Sequence, residues 1–220
     1  MFSSDHVGVV FFDVDGTLVP ATSSSLFLAD FLGHRDELVK AEDAYASGDL
    51  DNRQVSELDA RGWAGVREEQ VSGWLDGLPL VSGIAETVGW CRRNGLVPVL
   101  ATLAWSPVGS YLADRFGFHA FSGPRLETTS GRFTGRVACH FDEYSKRDFA
   151  LAKARESGVA PGSCGAVGDS RSDLPLFASV GLSVAFNASA GARAAATVTV
   201  DGGDLRGVLP ALSRLVTATR

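Results

Sequence analysis

The order of apolar and polar stretches along the chain predicts an α/β protein. Residues 9–12 are four apolar residues in a row, rich in β-branched and aromatic side chains. Such a run is typical of a strand buried on both faces of a parallel sheet. After residue 82, helical patterns alternate with short apolar runs, and this alternation predicts a doubly wound parallel sheet. The further strands are expected at residues 96–101, 164–167, 182–186 and 197–200.

The segments between these strands have the periodicity of helices. Ser106 and Pro107 suit the start of a helix, because serine caps helices well and proline is tolerated in the first turn. The segment 125–137 predicts instead a β-hairpin that turns at Ser130 and Gly131. The predicted helices of this part of the chain lie at residues 82–93, 106–115, 146–157, 174–178 and 205–215.

One region, residues 21–79, interrupts the alternation and has no strong strand signal. Ser24 or Ser25 is expected to cap its first helix, which ends at Gly33. Residues 1–20 and 80–220 therefore form the predicted core, and residues 21–79 a small helical domain inserted after the first strand. Its helices are expected at residues 26–32, 36–45, 52–60 and 68–75.

Composition and charge limit the cellular compartments and the classes of binding partner that we expect. The chain has 220 residues, 45% of them hydrophobic, with a net charge of −6, which gives no general attraction to nucleic acid or to anionic membrane. No apolar run approaches the roughly 20 residues that span a bilayer. Cys91, Cys139 and Cys164 are widely spaced and odd in number, which predicts no disulfide framework. We expect a cytoplasmic protein that contacts neither membrane nor nucleic acid.

Two carboxylates stand directly after the first strand. Asp13 and Asp15 are followed by Gly16 and Thr17. Ligands of open α/β sheets bind beyond the carboxyl ends of the strands, so two acids at this position indicate a binding or catalytic role. Taken alone, the same four residues also fit an ordinary acidic turn.

Four separated segments together resemble the haloacid dehalogenase superfamily of phosphatases. Their order and their places at strand ends match that family along nearly the whole chain. The resemblance is to phosphoserine phosphatase-like members. These proteins carry a helical cap, and their sequences are similar to this one in the hairpin and in residues 178–187. The four segments are Asp13-Val14-Asp15-Gly16-Thr17, Thr102 after the second strand, Lys146 near a helix start, and Gly168-Asp169-Ser170-Arg171-Ser172-Asp173.

The resemblance implies a phosphomonoester hydrolase that depends on Mg²⁺. Asp13 is then the nucleophile that forms an aspartyl-phosphate, and Asp15 is the general acid and base. The carboxylates of Asp13 and Asp169, with the main-chain carbonyl of Asp15, are the implied ligands of Mg²⁺. Asp173 is expected to orient Asp169 or a water bound to the metal.

The phosphoryl group needs positive charge and hydrogen-bond donors around it. The resemblance implies that the Thr102 hydroxyl and the Lys146 ammonium bind its oxygens and offset their charge. Gly16, Thr17 and Leu103 are the further expected phosphate-binding positions.

The sequence departs from the pattern of members that cleave phosphoserine. Those proteins hold the amino acid with a glutamate soon after the first motif and an arginine in the cap. Here residues 21–25 include no acid, and the position aligned with the arginine falls near Glu57. We therefore expect a small phosphorylated metabolite other than free phosphoserine. The candidate substrate contacts are Ser23, Ser24, Arg61 and Trp105.

Three points stay open at the level of sequence. A phosphotransferase would share the same aspartyl-phosphate, and a phospho-acceptor signalling module also uses an Asp, a Thr and a Lys around Mg²⁺. The chain is expected to be a monomer or a homodimer. The hairpin is expected to contact either the ligand or a second subunit, and the sequence does not choose between them.

Overall fold

The structure of the protein is a computed structural model that describes residues 6–217. All strands of its main sheet run parallel. The strands, in chain order, are β1 (Gly8–Phe12), β2 (Leu96–Leu100), β3 (Arg125–Thr129), β4 (Arg132–Cys139), β5 (Cys164–Gly168), β6 (Leu182–Phe186) and β7 (Val198–Val200). The main sheet has five strands in the order β2-β1-β5-β6-β7, and β3 and β4 form a separate antiparallel hairpin.

Helices cover both faces of the sheet. Side chains alternate along β1, so that Val10 and Phe12 join one apolar cluster while Val9 and Phe11 join another on the opposite face. The predicted doubly wound α/β fold is confirmed. The helices are α1 (Ser24–Leu32), α2 (Arg35–Ser47), α3 (Asn52–Gly62), α4 (Glu68–Leu75), α5 (Ile84–Arg93), α6 (Ser106–Phe116), α7 (Glu143–Glu156), α8 (Leu174–Phe177), α9 (Ala190–Ala195) and α10 (Leu209–Thr217).

The strand order places a ligand crevice at the middle of the sheet. From β1 the chain moves outward to β2 at one edge and later returns to β5 on the other side of β1. Loops after β1 and β5 therefore turn away from each other, which opens a crevice at the carboxyl ends of these two strands. Pro98 lies in β2 at the edge, where its missing N–H interrupts no second ladder.

The hairpin packs against the connection between α3 and α4. The rings of Trp63 and Phe133 meet nearly at right angles, with centroids 5.1 Å apart. The Phe133 carbonyl accepts from the Gly65 N–H at 2.9 Å, and its N–H donates to the Val66 carbonyl at 2.9 Å. Within the described chain, the hairpin therefore braces the helical region 21–79, a contact that was not among the two expected.

The structure differs from the sequence prediction at several boundaries. Ser23, and not Ser24 or Ser25, caps α1, since its side chain accepts from the Leu26 N–H at 3.0 Å. Helix α7 begins three residues before Lys146, at Glu143. Helix α9 was not predicted, because its alanine-rich sequence carries no amphipathic pattern. The boundaries of the two domains stay a prediction.

Two further sequence features, membrane spans and cysteines, can be located in the described residues. Within residues 6–217, none of the helices combines the length and the apolar character that crossing a bilayer requires. Cys91, Cys139 and Cys164 are all free thiols.

Candidate active site

Three carboxylates converge at the crevice. Asp13 follows β1, and its N–H donates to the Val167 carbonyl of β5 at 2.9 Å, which continues the sheet ladder past the strand end. Asp169 follows β5, and Asp173 follows a short turn after it. One oxygen from each of Asp13, Asp169 and Asp173 lies within 4.8 Å of the others. Residues far apart in sequence thus meet because the ends of two adjacent parallel strands meet.

A buried lysine lies among these acids. The Lys146 ammonium is 2.6 Å from Asp173 Oδ1 and 3.2 Å from Asp13 Oδ1, and its side chain is fully buried. Burial alone would lower the pKa of Lys146, but the two carboxylates raise it, so the ammonium stays charged. Asp142 caps α7 by accepting from the Ser145 N–H at 2.7 Å, and this fixes the helix turn that carries the lysine.

Asp173 holds the loop after β5. Its Oδ2 accepts from the backbone N–H groups of Asp169 at 2.9 Å and Ser170 at 3.1 Å. Its other oxygen accepts from Lys146. A Cβ at Gly168 would lie 2.2 Å from Asp173 Cγ, so only glycine lets the carboxylate approach this closely. In the structure Asp173 therefore positions both Asp169 and Lys146.

The cluster carries more negative charge than its own lysine offsets. Burial raises the pKa of Asp13 to about 7, against the lowering effect of Lys146. Burial, together with the neighbouring Asp13 and Asp173 carboxylates, raises the pKa of Asp169 to about 8. A divalent cation would relieve this repulsion, and carboxylate oxygens are the ligands that Mg²⁺ prefers. The residues present therefore fit a hard divalent cation.

Asp15 is held by the start of the helical region. The Ser24 backbone N–H donates to Asp15 Oδ1 at 2.6 Å, and the Ser24 hydroxyl donates to Oδ2 at 3.2 Å. Burial raises the pKa of Asp15, and the hydrogen bonds from Ser24 act in the opposite direction. Ser24 is fully buried and lies outside the lining of the cavity described below. The structure therefore places Ser24, expected as a substrate contact, against Asp15 and not in the cavity lining.

A tight turn at Gly16 links Asp15 to the cluster of Asp13, Asp169 and Asp173 carboxylates. Gly16 has a φ of 83°, and a Cβ there would lie 2.2 Å from Asp169 Oδ2. The N–H groups of Gly16 and Thr17 donate within the turn, to Val19 and Val14. The Thr17 hydroxyl donates to Asp169 Oδ1 at 3.2 Å. A phosphate would have to compete with these carbonyls, so the phosphate-binding role of Gly16 and Thr17 stays a prediction.

Thr102 and Leu103 lie at the end of β2 and line the cavity. The hydroxyl of Ser122 accepts from the Thr102 N–H at 2.9 Å and donates to the Thr102 carbonyl at 3.1 Å. The Thr102 Oγ1 accepts from the Ala104 N–H at 3.1 Å, which leaves its hydroxyl proton free to donate elsewhere.

A cavity of about 330 Å³ lies between the carboxylates and helices α1 to α3. Ser23 and Trp105 line it, as expected of substrate contacts. Arg61 is exposed and does not line it, because it points from the last turn of α3 to solvent. Glu57 is likewise half exposed and pairs with Arg53 at 3.0 Å. The structure therefore does not bring Arg61 to the cavity, and of the expected substrate contacts only Ser23 and Trp105 lie in its lining.

Sequence reasoning missed the cavity residues of α2 and α3. They recur at helical spacing and so form one stripe on each helix. This spacing was visible in the sequence, but polar residues on a helix usually face solvent, so the stripe gave no signal of a cavity. The residues are Leu38, Glu42 and Tyr45 on α2, and Asn52, Val55, Ser56 and Asp59 on α3.

Two of these missed residues are acids with hydrogen-bond partners. Glu42 Oε1 accepts from the Ser23 hydroxyl at 2.6 Å. Asp59 is almost fully buried and accepts from Trp105 Nε1 at 2.6 Å, while His34 Nε2 lies 2.7 Å from its other oxygen. Asp59 thus fixes the ring of Trp105 against the cavity.

Comparison with known proteins agrees with this geometry. A family model described as haloacid dehalogenase-like hydrolase matches residues 10–178. The chain belongs to the haloacid dehalogenase-like hydrolases. It is similar to a phosphoserine phosphatase of Albidiferax ferrireducens (strain ATCC BAA-621 / DSM 15236 / T118), with 28% identity over 204 residues that cover 90% of this chain and 86% of that protein.

Solved structures show the same fold. A phospho-aspartyl intermediate analogue of phosphoserine phosphatase has a TM-score of 0.81 and 23% identity, and covers 92% of this chain and 97% of that chain. A substrate-bound phosphoserine phosphatase complex has a TM-score of 0.82 and 22% identity, with coverages of 92% and 96%. The predicted resemblance to phosphoserine phosphatase-like members of the family is confirmed, as is the assignment to its phosphatase-type hydrolases.

Proposed function

We propose that this protein hydrolyses a small phosphomonoester, in the presence of Mg²⁺, through a phosphorylated Asp13. The observation that supports this most directly is the placement of Asp13 beside Lys146, at 3.2 Å, and within the carboxylate cluster of Asp169. A phosphomonoester is an anion attacked by an anion, so the attacking carboxylate needs positive charge next to it. The relatives that bear the name phosphoserine phosphatase support the reaction class.

In the first half-reaction, Asp13 attacks phosphorus. Its Oδ1 accepts from the Val14 N–H at 2.8 Å and faces Lys146, so we assign Oδ2 as the nucleophile. A bond forms between Oδ2 and phosphorus, and the ester P–O bond breaks with its electron pair going to the leaving oxygen. Asp15, protonated, gives its proton to that oxygen. The raised pKa of Asp15 favours the protonated state that this step requires.

In the second half-reaction, the phosphoryl group passes to water. The Asp15 carboxylate, now deprotonated, takes a proton from the water as its oxygen attacks phosphorus. The bond between Asp13 Oδ2 and phosphorus breaks, and inorganic phosphate leaves. Asp15 ends protonated and Asp13 ends as a carboxylate, so the site is ready for another substrate.

The phosphoryl oxygens need partners throughout. The Lys146 ammonium and the Thr102 hydroxyl are the donors that this chain offers, with Leu103 at the same strand end. The carboxylates of Asp13 and Asp169 and the Asp15 carbonyl would hold Mg²⁺, which when bound offsets the charge that develops on phosphorus.

Residues 21–79 would act as a cap over a core formed by residues 1–20 and 80–220. The helices α1 to α3 supply one wall of the cavity, and residues after β1, β2 and β5 supply the other. A cap of this kind excludes water from the phosphorylated aspartate until the alcohol has left, and its side chains select the alcohol.

The test is phosphate release from a panel of phosphomonoesters, with Mg²⁺ or with EDTA. Asp13→Asn removes the nucleophile, and Asp148→Asn, on the exposed side of α7, is the matched control. We expect turnover that needs Mg²⁺ and Asp13 and is unchanged in the control. An absence of turnover on every ester by folded protein would contradict the proposal. Transfer of the phosphoryl group to an added alcohol, in preference to water, would make the protein a phosphotransferase.

A further inference from the structure

The cavity walls carry negative charge that the floor does not offset. The floor is formed by Asp13, Asp15 and Asp169, and the ammonium of Lys146, which lies behind it and outside the cavity lining, is already shared between Asp13 and Asp173. Two further acids, Glu42 and Asp59, line the cavity above this floor. A substrate phosphate adds still more negative charge, so whatever else the substrate carries must be compatible with these acids.

Glu42 has a neutral hydrogen-bond partner. Its Oε1 accepts from the hydroxyl of Ser23 at 2.6 Å. Arg35 acts on it from a distance, but the guanidinium of Arg35 is bonded to the Leu26 carbonyl at 2.9 Å and to Asp30 at 3.1 Å. Burial raises the pKa of Glu42 to about 7, as expected of a carboxylate that lacks a close cation.

Asp59 is held by nitrogen donors of aromatic rings. Trp105 Nε1 donates to one oxygen at 2.6 Å, and His34 Nε2 lies 2.7 Å from the other. A carboxylate has about four lone-pair sites, so each oxygen of Asp59 can accept a further hydrogen bond. Asp59 is therefore both fixed in position and able to receive a ligand donor.

The rest of the lining offers no site for a carboxylate. Among the described residues that line the cavity there is no lysine, arginine or histidine. Arg171 comes near, with its guanidinium 4.1 Å from the centroid of the Tyr45 ring, but it donates to the Tyr45 carbonyl and lies outside the lining. Tyr45 itself lines the cavity, and burial raises the pKa of its hydroxyl, so this part of the wall is neutral.

We propose that the substrate is a phosphomonoester whose alcohol part carries an ammonium group and no carboxylate. An ammonium group would donate to Glu42 and Asp59, whose carboxylate oxygens line the same cavity. A carboxylate would meet the same two acids, with no lysine, arginine or histidine among the described lining residues to pair with it, and would be rejected. The cavity of about 330 Å³ suits a small alcohol. This inference rests on the proposed phosphatase function and names its substrate class.

The test compares esters that differ in one charged group. The panel contains phosphoethanolamine, its neutral counterpart 2-hydroxyethyl phosphate, phosphoserine and 3-phosphoglycerate, all assayed with Mg²⁺. We expect kcat/KM for phosphoethanolamine to exceed that for 2-hydroxyethyl phosphate and for phosphoserine by about tenfold or more. Equal rates for the neutral ester, or a preference for phosphoserine, would overturn the inference and leave the phosphatase standing. No turnover of any ester would instead remove the phosphatase function itself.

Variants test whether Glu42 causes the preference for the ester that carries an ammonium group. Glu42→Gln keeps the size and hydrogen-bonding capacity of the side chain and removes its charge, so the ratio of phosphoethanolamine to 2-hydroxyethyl phosphate should fall about tenfold. Glu37→Gln, at an exposed position of the same helix, should leave that ratio unchanged. An unchanged ratio in folded Glu42→Gln would overturn the inference. If that variant does not fold, the panel with the unaltered protein decides.

Discussion

Ser24 donates two hydrogen bonds to the Asp15 carboxylate, one from its backbone N–H at 2.6 Å and one from its hydroxyl at 3.2 Å. Ser24 is the first residue of α1, so the helix that opens the region 21–79 also holds the side chain assigned as general acid and base. A helix N-terminus has unpaired N–H groups and a positive partial charge, which favour an anion at this place. The region above the site and the chemistry at its floor are thereby joined through one residue.

Ser24→Ala removes one of these hydrogen bonds and keeps the backbone donor. Because the Ser24 hydroxyl lowers the pKa of Asp15, its loss should raise that pKa further. In kcat/KM, Asp15 acts as the acid, so the alkaline limb of the pH profile should move to higher pH. Ser72→Ala, at an exposed position of α4, is the control. If the alkaline limb of the kcat/KM profile stays at the same pH in Ser24→Ala, the Ser24 hydroxyl does not set the pKa of Asp15 and the prediction is contradicted.

Gly168→Ala tests the close approach of Asp173 to the backbone. The new Cβ would lie 2.2 Å from Asp173 Cγ, so the carboxylate has to move away from Lys146 and from the loop of Asp169. We expect a loss of about 1–3 kcal/mol in the free energy of unfolding, with a large fall in kcat. Gly162→Ala has open space around its Cβ and should change neither. Thermal denaturation of both variants, with assays of each, would show the difference or contradict it.

Metal binding should depend on pH in a defined direction. The pKa values of Asp13 and Asp169 are raised to about 7 and about 8 from 3.8, so the metal-free fold binds more protons than the unfolded chain between these limits. The stability of the metal-free protein therefore falls as pH rises from about 4 through about 8. A divalent cation needs deprotonated ligands, so Mg²⁺ should bind more tightly as pH rises over the same window.

The measurement is the shift of Tm on adding Mg²⁺ in place of EDTA. The shift should be larger near pH 8 than near pH 5, where the carboxylates are largely protonated. Asp169→Asn should lose most of the shift. A shift that is the same at both pH values would show that these carboxylates do not bind the cation.

Glu42 should reduce stability at high pH. Burial raises its pKa in the folded protein from the ordinary 4.5 to about 7, so its contribution to the free energy of unfolding is lost as pH rises through that window. Glu42→Gln should be more stable than the unaltered protein by about 1–3 kcal/mol near pH 8, and equal to it near pH 4. Urea denaturation at both pH values, with Glu37→Gln as control, checks the sign. A destabilised Glu42→Gln near pH 8 would mean that the carboxylate has a cationic partner.

Most of the fold was predictable because its signals are local. Buried strands such as β6 appear as short apolar runs, and the hairpin turn uses two positive φ angles, 51° at Ser130 and 74° at Gly131, the second of which glycine adopts without strain. Errors concentrate at helix ends, such as the capping by Ser23, where neighbouring serines compete for one role.

In the candidate site, too, the residues with a local sequence signal were predicted and those without one were missed. Residues in motifs at strand ends, such as Asp13 and Asp169, were found because the ends of parallel strands meet at one edge of the sheet. Glu42 and Asp59 were missed because only the tertiary packing of α2 and α3 turns their polar stripes toward a cavity. Arg61 was expected near the substrate but is exposed outside the cavity lining, since helical phase alone does not say which stripe faces inward.

The central claim is that Asp13 carries the phosphoryl group during turnover. The most direct measurement is an acid quench of the enzyme with a radiolabelled aryl phosphate and Mg²⁺, followed by mapping of the label to a peptide. We expect acid-stable label on the peptide that contains Asp13, and loss of that label in Asp13→Asn and in EDTA. Rapid hydrolysis with no label on the protein, or turnover retained by Asp13→Asn, would contradict it.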